Sequence, residues 1–259
     1  MGLIGNFSAR GNWESVTLGI GYNRTSNYNS KISVKSSTGV SALEGYVDEL
    51  NANGGISGDD IPNTFPFTSN LAYQTFLVNP TSGDSLKYNH VFSNSTHLTQ
   101  TTSYGTQGGA GEMYFALGGN YSNKLYVGAL IGIPSVRYIY DKTYTERSDP
   151  SDTLTEFNSY SVHDFVKTTG SGINLKLGMI YKVTDWFRIG AAFHTPTIYS
   201  LTDQYESSIS AERKDGVELT HKTPSGSFNY IVVTPYRFIS SASAVLGNRG
   251  VINVDYEIV

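Results

Sequence analysis

Three basic side chains, Lys176, Arg188 and His194, are candidates for binding an anionic ligand. Each lies in a stretch where apolar and polar residues alternate, the pattern of a β-strand whose successive side chains point to opposite faces. The alternation puts all three on the polar face. A cation there can hold a carboxylate by charge-assisted hydrogen bonds while apolar walls take a hydrocarbon tail. The alternative is structural: Lys176 and Arg188 would pair with acidic residues such as Asp255 and Glu257, and His194 would hydrogen-bond a neighbouring strand.

The sequence contains no motif of a catalytic centre. Gly-x-Ser-x-Gly, Gly-x-x-x-x-Gly-Lys and His-Glu-x-x-His are all absent. The chain has no cysteine, which excludes disulfides and thiolate metal sites, and its five histidines are dispersed. The net charge of −4 comes without a basic stripe, so nucleic acid is not an expected partner. We therefore predict a protein without enzymatic activity, cofactor or metal site.

The alternating pattern extends over four units that resemble β-hairpins. The clearest runs from Gly172 to Thr197 and turns at Val183 to Asp185. One side of its first arm is entirely apolar, with Ile173, Leu175, Leu177, Met179 and Tyr181. The other three units join Gly2–Ser8 to Trp13–Asn23, Gly111–Tyr121 to Leu125–Ile133, and Asn229–Leu246 to Val251–Val259. We predict eight antiparallel strand arms, each with one apolar face.

The connections between these units differ sharply in length. Tight turns such as Gly247–Gly250 alternate with long polar segments, which we predict to be loops: Thr25–Gln107, Asp141–Thr169 and Ser200–Ser227. This asymmetry favours an outer-membrane barrel with short periplasmic turns and long extracellular loops. Arms of about ten residues are long enough to cross a bilayer, and the central positions of their apolar sides carry no charge. A soluble β-sandwich is the competing interpretation, and it would scatter loop lengths more evenly.

The longest connection, residues 25–107, contains a second candidate site. Two pieces of it are helix-like, GVSALEGYVDELNANGG and NLAYQTFLVNP. The second piece supplies Tyr73, Phe76 and Leu77, which would form an apolar landing site for a hydrophobic ligand at the extracellular mouth. The alternative is that these residues pack the loop helices against one another.

Three segments resemble the OmpP1/FadL/TodX family of outer-membrane transport proteins, particularly its branch in Bacteroidetes-type bacteria. They are TTGSGINLKLGMIYKVTDWFRIGAAFHTPTIYSLTDQY (Thr168–Tyr205), GGNYSNKLYVGALIGIPSVRY (Gly118–Tyr138) and TPYRFISSASAVLGNRGVINVDYEIV (Thr234–Val259). The resemblance implies an all-β fold, an antiparallel transmembrane barrel of about fourteen strands with an N-terminal hatch. Neither the hatch nor the last strands have a counterpart here. We therefore expect residues 1–259 to form one domain, a partial barrel of eight arms.

The resemblance also implies a function, passive uptake of hydrophobic molecules such as long-chain fatty acids or aromatic hydrocarbons across the outer membrane of a Gram-negative bacterium. The expected partners are outer-membrane lipid and a hydrophobic small-molecule ligand, and the expected state is monomeric. Some relatives of this type resemble haemin receptors, so haem uptake on the same fold is the first alternative. A surface adhesion or structural barrel, whose lumen carries nothing, is the second.

Overall fold

The computed structural model describes residues 1–8, 11–93 and 97–259 of the chain. Its fold is all-β, with one large antiparallel sheet curled into a half-barrel. In chain order the elements are β1 Gly2–Ser8, β2 Trp13–Asn27, β3 Ser30–Thr38, α1 Glu44–Asn51, a 3-10 turn Ala52–Gly54, α2 Ile61–Thr64, α3 Ser69–Gln74, β4 Val78–Thr81, β5 Asp84–His90, β6 Leu98–Tyr121, β7 Leu125–Ser148, β8 Phe157–Lys182, β9 Phe187–His194, β10 Ile198–Arg213, β11 Glu218–Lys222, β12 Gly226–Val233, β13 Arg237–Val245 and β14 Val251–Ile258.

Eight strands form the continuous path of the sheet, in the order β1-β2-β6-β7-β8-β9-β13-β14. The hairpins β1–β2, β6–β7, β8–β9 and β13–β14 are the four predicted units, and all are antiparallel. The first predicted turn, residues 9–12, lies partly outside the described residues. The pairing of the four hairpins and seven of the eight arms are therefore confirmed, because two-residue periodicity and tight turns are local properties that the sequence carries directly.

The prediction of long polar loops is wrong for most of their length. Strands β6, β7 and β8 contain 24, 24 and 26 residues and run far past the predicted arms. Strands β3 and β10 pair with this extension, and β11 and β12 pair with β10. Alternation persists there in a weaker form, with Tyr and Val on one face and Ser and Thr on the other. Hydroxyl-bearing residues satisfy strand geometry without being hydrophobic, so a hydropathy pattern misses them.

The predicted arm Asn229–Leu246 is also wrong as a single strand. It is broken between β12 and β13 at Thr234-Pro235-Tyr236, beside a matching break at Thr195-Pro196-Thr197 between β9 and β10. Proline has no N–H to donate to a ladder. Threonine hydroxyls beside the breaks accept backbone N–H groups: Thr195 Oγ1 accepts from the Leu175 N–H and Thr234 Oγ1 from the Thr197 N–H, each at 2.9 Å. Two neighbouring strands are thus interrupted at one level and held by side chains.

Residues 39–93, which we call the insertion, contain the helices and the β4–β5 hairpin. The first predicted helical piece is confirmed as α1 with its 3-10 turn. The second is helical only as far as Gln74, in α3, and its last residues belong to β4. The insertion packs on the extension and forms the hydrophobic core there: Leu43, Val47, Leu50, Ile61, Leu71, Ala72, Leu77, Val78, Tyr88, Phe92, Leu98, Phe157, Tyr160, Val162, Ile209 and Ala211. Among the described residues, none in segments 111–133 and 173–194 is a buried hydrophobic. The tight-turn half of the sheet therefore has no core of its own.

The β6–β7 and β7–β8 ladders run without a register shift. Alternate residues of each strand therefore stay on the same face of the sheet along its whole length. Even-numbered residues of β7 include Tyr144, which packs against the insertion core, and Gly128 and Leu130, which line a cavity in the other half. We call this face concave and the opposite one outward. The insertion and the cavity therefore share the concave face, with the insertion above the cavity along the strands.

Candidate functional site

The main cavity of the concave face has a volume of about 700 Å³ and lies in the half of the sheet without a core. Its floor is a row of directly paired residues with small side chains: Thr17, Gly118, Gly128, Gly178 and Ala192. Larger apolar residues flank this row, including Tyr126, Leu130, Ile180 and Ile239. The volume is within the range of small-molecule sites in proteins. The small size of the side chains along the floor therefore leaves an open apolar trough.

Charged residues mark the end of the trough that faces the insertion. Lys176 lines it and forms an ion pair with Glu112 across 2.6 Å. The Asn174 amide donates to the same carboxylate at 2.9 Å and to Thr197 Oγ1 at 3.1 Å. The Glu112 side chain is only 12% exposed, so this bridge is a partly buried polar lattice across β6 and β8. Lys176 is thus paired with an acid other than the expected Asp255 or Glu257, and its role in holding a ligand stays a prediction.

A glycine makes room for this lattice. Gly132 lies on β7 between the two strands, and a Cβ atom there would overlap the Glu112 carboxylate and the Asn174 amide oxygen. The neighbouring floor position Gly128 is different, since the nearest atom to its Cβ position is the Leu117 carbonyl oxygen at 3.7 Å. Gly132 is therefore required by the packing of the lattice, whereas Gly128 mainly leaves the trough open.

His194 extends the charged end of the trough. It pairs with Lys176 on β8 and with Arg237 on β13, which places three basic residues side by side. Arg237 is matched by Glu257 at 3.5 Å. The two ion pairs cancel in charge, so His194 is the remaining titratable group of this row. The sequence analysis named Lys176, His194 and Glu257 but missed Glu112 and Arg237, whose partners come from distant strands.

Arg188 lies on the concave face, as predicted, but away from this group. It pairs with Lys182, six residues along β8 from Lys176, which corresponds to about 20 Å of strand. Arg188 lines a separate cavity of about 250 Å³ together with Asn253 and Asp255. Lys176 and Arg188 therefore cannot hold one carboxylate between them.

The three predicted landing residues have different environments in the insertion. Leu77 is fully buried at 0% exposure, so it packs the insertion core. Tyr73 is partly buried against the same core, with its ring 6.1 Å from that of Tyr88. Phe76 has 59% of its surface exposed and is the one of the three that presents an apolar surface to the exterior. Leu77 therefore packs the core of the insertion, and a capture role for the exposed Phe76 stays a prediction.

The outward face of the tight-turn half is apolar and open. Its exposed large side chains include Met113, Phe115, Leu117, Val127, Ile131, Ile133, Ile173, Leu177, Met179, Ile189 and Phe193. Aromatic pairs lie at both ends of this apolar band: Trp13 with Tyr121 beside the tight turns, and Phe193 with Tyr236 at the strand breaks. A soluble monomer rarely exposes so large a continuous apolar patch, and such patches mark interaction with lipid or protein.

No helix in the described part of the chain is both long and apolar enough to span a membrane. Within the same residues, no three His, Asp or Glu side chains are grouped so as to hold a metal ion. No protein-family model matches the sequence, and neither the curated proteins nor the solved structures include a match to it.

Proposed function

We propose that this chain forms part of the wall of an outer-membrane β-barrel of a Gram-negative bacterium and lets hydrophobic small molecules cross by passive diffusion. The observation that carries the proposal is the pairing of two surfaces on one sheet. The outward face is an uncharged apolar band, and the concave face opposite it holds an open apolar trough of about 700 Å³. Lipid would cover the outward band and cargo would cover the trough, and neither of these apolar surfaces is buried in a protein core.

The height of the band supports the membrane half of the proposal. Outward residues of β8 run from Ile173 to Tyr181, which is about 27 Å along the strand and about 20 Å of height at a tilt of about 40°. This is close to the apolar band of about 25 Å in outer-membrane barrels, which has aromatic residues at both interfaces. The tight turns would face the periplasm, and the extension with its insertion would stand outside the cell.

The end strands of the eight-strand path, β1 and β14, support the expectation that this sheet is part of a larger barrel. Each presents unpaired backbone groups, which a hydrocarbon environment does not tolerate. The resemblance to the OmpP1/FadL/TodX family would supply further strands, about fourteen in all, and a hatch to close the lumen. Family membership remains a proposal that rests on Thr168–Tyr205, Gly118–Tyr138 and Thr234–Val259.

The trough suggests how cargo would move. Molecules captured above the insertion, for example at Phe76, would pass to the apolar floor formed by Gly118, Gly128 and Gly178. Exit would occur past a hatch or sideways at the strand breaks Thr195–Thr197 and Thr234–Tyr236, where few backbone bonds must be broken. Long-chain fatty acids and aromatic hydrocarbons both suit a trough whose charged residues are already paired with one another. Haemin is the second candidate, because the His194 imidazole at the trough end is a potential axial ligand.

Filling the trough tests the transport proposal. Gly178→Trp would place an indole over the floor, and the adjacent Leu177→Trp would place the same indole on the outward face as a matched control. In vesicles reconstituted with the protein, uptake of labelled oleate or naphthalene should fall to the level of empty vesicles in G178W and persist in L177W. Equal uptake by both variants would refute the trough route. A shift of the haemin absorbance band that disappears in His194→Ala would favour haem uptake instead.

A further inference from the structure

The outward face changes character immediately beyond its apolar band. From the tight turns to Ile133 on β7 and Ile173 on β8, its residues are uncharged. The next charged outward residues on β2, β7 and β8 are Arg24, Arg137 and Lys167, which we call the basic cluster. All three are cations and lie one, two and three outward positions past the band. Charge of a single sign is thus concentrated where an apolar surface ends.

The backbone of β6 brings two members of the basic cluster together. Arg137 pairs directly with Gly109, and a Cβ atom at Gly109 would lie 3.2 Å from Arg24 Nη2. The Arg24 guanidinium therefore lies over the bare backbone of β6 on the side of Arg137, with Nη2 donating to Asn27 Oδ1 at 3.0 Å. Lys167 is the diagonal neighbour of Arg137, since it is two residues from Thr169, the residue paired with Arg137.

These cations are not neutralised by the protein. Within the described part of the chain, no carboxylate oxygen comes within 4.0 Å of Arg24, Arg137 or Lys167. The nearest outward acids along β7 and β10 already have partners: Asp141 contacts His163 at 3.2 Å, and Glu206 contacts Lys222 at 3.8 Å. Neighbouring like charges repel one another, so an anion between them would relieve that repulsion.

The surroundings of the basic cluster specify the kind of anion. Outward residues beside it are Ser135, Thr169 and Ser171, whose hydroxyl groups both donate and accept hydrogen bonds. Guanidinium groups bind phosphate oxygens in a bidentate manner. Phosphate together with sugar hydroxyls is therefore the chemical complement of the basic cluster.

We infer that Arg24, Arg137 and Lys167 bind the phosphate groups of a phosphorylated glycolipid in the leaflet that surrounds the extension. The inference rests on the proposed membrane insertion of the half-barrel and is independent of its cargo. Head groups lie just beyond the hydrocarbon layer, at the level of the basic cluster. There a single lysine or arginine contributes about 1 kcal/mol of attraction to an anionic surface, which is about a fivefold change in affinity per cation.

The test compares lipid binding by two triple variants of equal charge. R24Q/R137Q/K167Q removes the basic cluster, and K31Q/K35Q/K87Q removes three exposed lysines on β3 and β5 that also lack a carboxylate partner within 4.0 Å among the described residues. Each protein is incorporated into phosphatidylcholine vesicles and titrated with diphosphoryl lipid A, phosphatidylglycerol or inorganic phosphate. Binding of lipid A should weaken on the order of a hundredfold in the cluster variant and stay near the wild-type value in the control.

The outcomes separate the inference from the proposed function. Flotation of the protein with phosphatidylcholine vesicles alone reports membrane insertion, and failure to float would overturn both. Insertion without preference for lipid A, or equal loss in the two triple variants, would overturn the inference and leave the membrane proposal standing. Equal binding of phosphatidylglycerol would refute the assignment to a glycolipid. Full competition by inorganic phosphate would indicate a free-phosphate site in place of a lipid site.

Discussion

Replacing Glu146 by glutamine should loosen the insertion from the concave face. Glu146 is completely buried, and its carboxylate accepts four hydrogen bonds. Two come from the insertion, from Ser41 Oγ and from the Ala42 N–H at 3.1 Å. The other two come from Gln100 Nε2 at 3.0 Å and from the Tyr144 hydroxyl at 2.7 Å. This carboxylate therefore ties the start of α1 to the strand extension.

The size of the effect follows from the charge of the acceptor. A hydrogen bond to a charged group contributes about 1.5–3 kcal/mol and a neutral one about 0.5–1.5 kcal/mol. Removing the charge should weaken one of the two insertion bonds by about 1 kcal/mol. The other bond should lose at least about as much, because glutamine has a single acceptor oxygen and Ser41 and Ala42 donate to different oxygens of the carboxylate. The combined loss of about 2 kcal/mol corresponds to an approximately 30-fold increase in opening of the insertion.

Amide hydrogen exchange of the detergent-solubilised protein measures this opening directly. The amides of Val47 and Leu50 in α1 should exchange about 30-fold faster in E146Q. Glu212→Gln is the matched control, because that carboxylate is half exposed and accepts from Ser159 Oγ at 3.0 Å, remote from α1. Unchanged or slower exchange in E146Q would refute the reasoning, since it would mean that desolvation of the carboxylate costs more than its bonds contribute.

Three further predictions follow from the faces and the polar lattice. Gly132→Ala should destabilise the folded sheet by about 1–3 kcal/mol through overlap with Glu112 and Asn174, whereas Gly128→Ala should be nearly neutral. Urea unfolding in lipid vesicles measures both free energies. Equal effects of the two substitutions would contradict the requirement for glycine at Gly132. Leu177→Arg should cost about 2–4 kcal/mol in lipid, and Ile180→Arg on the concave face should cost clearly less, so equal costs would argue against outward contact with hydrocarbon. Burial, followed by the nearby Glu146 carboxylate, raises the pKa values of Tyr144 and Tyr160 above their ordinary value of 10.0. Attachment of the insertion should be complete below pH 10 and weaken as the pH rises above it, because these two tyrosines ionise readily only after the insertion is released. Tyrosinate absorbance and trypsin cleavage at Lys87 should therefore rise together. Tyr160→Phe should reduce the loss of attachment at high pH.

The sequence was sufficient to predict on which face of the sheet each candidate site residue lies, but not which residues it contacts. Parity along a strand is local, so the shared face of Lys176, Arg188 and His194 followed from the alternation. Their partners did not, because Glu112 lies 64 residues from Lys176 and the Arg237–His194 pairing depends on the order of strands in the sheet. A single acidic residue in the otherwise uncharged arm of β6 was the available signal for Glu112.

The sequence by itself determined the tight hairpins, the two faces of each arm and the helical pieces of the insertion, since turn chemistry and side-chain periodicity act over a few residues. Only the tertiary structure decided that the polar connections continue as strands, that the insertion occupies the concave face, and that Gly118, Gly128 and Gly178 align into one trough floor. Those features depend on which strands become neighbours and in which register. Residues far apart in the chain set that choice jointly, through hydrogen bonds and burial that exist only after the sheet has assembled.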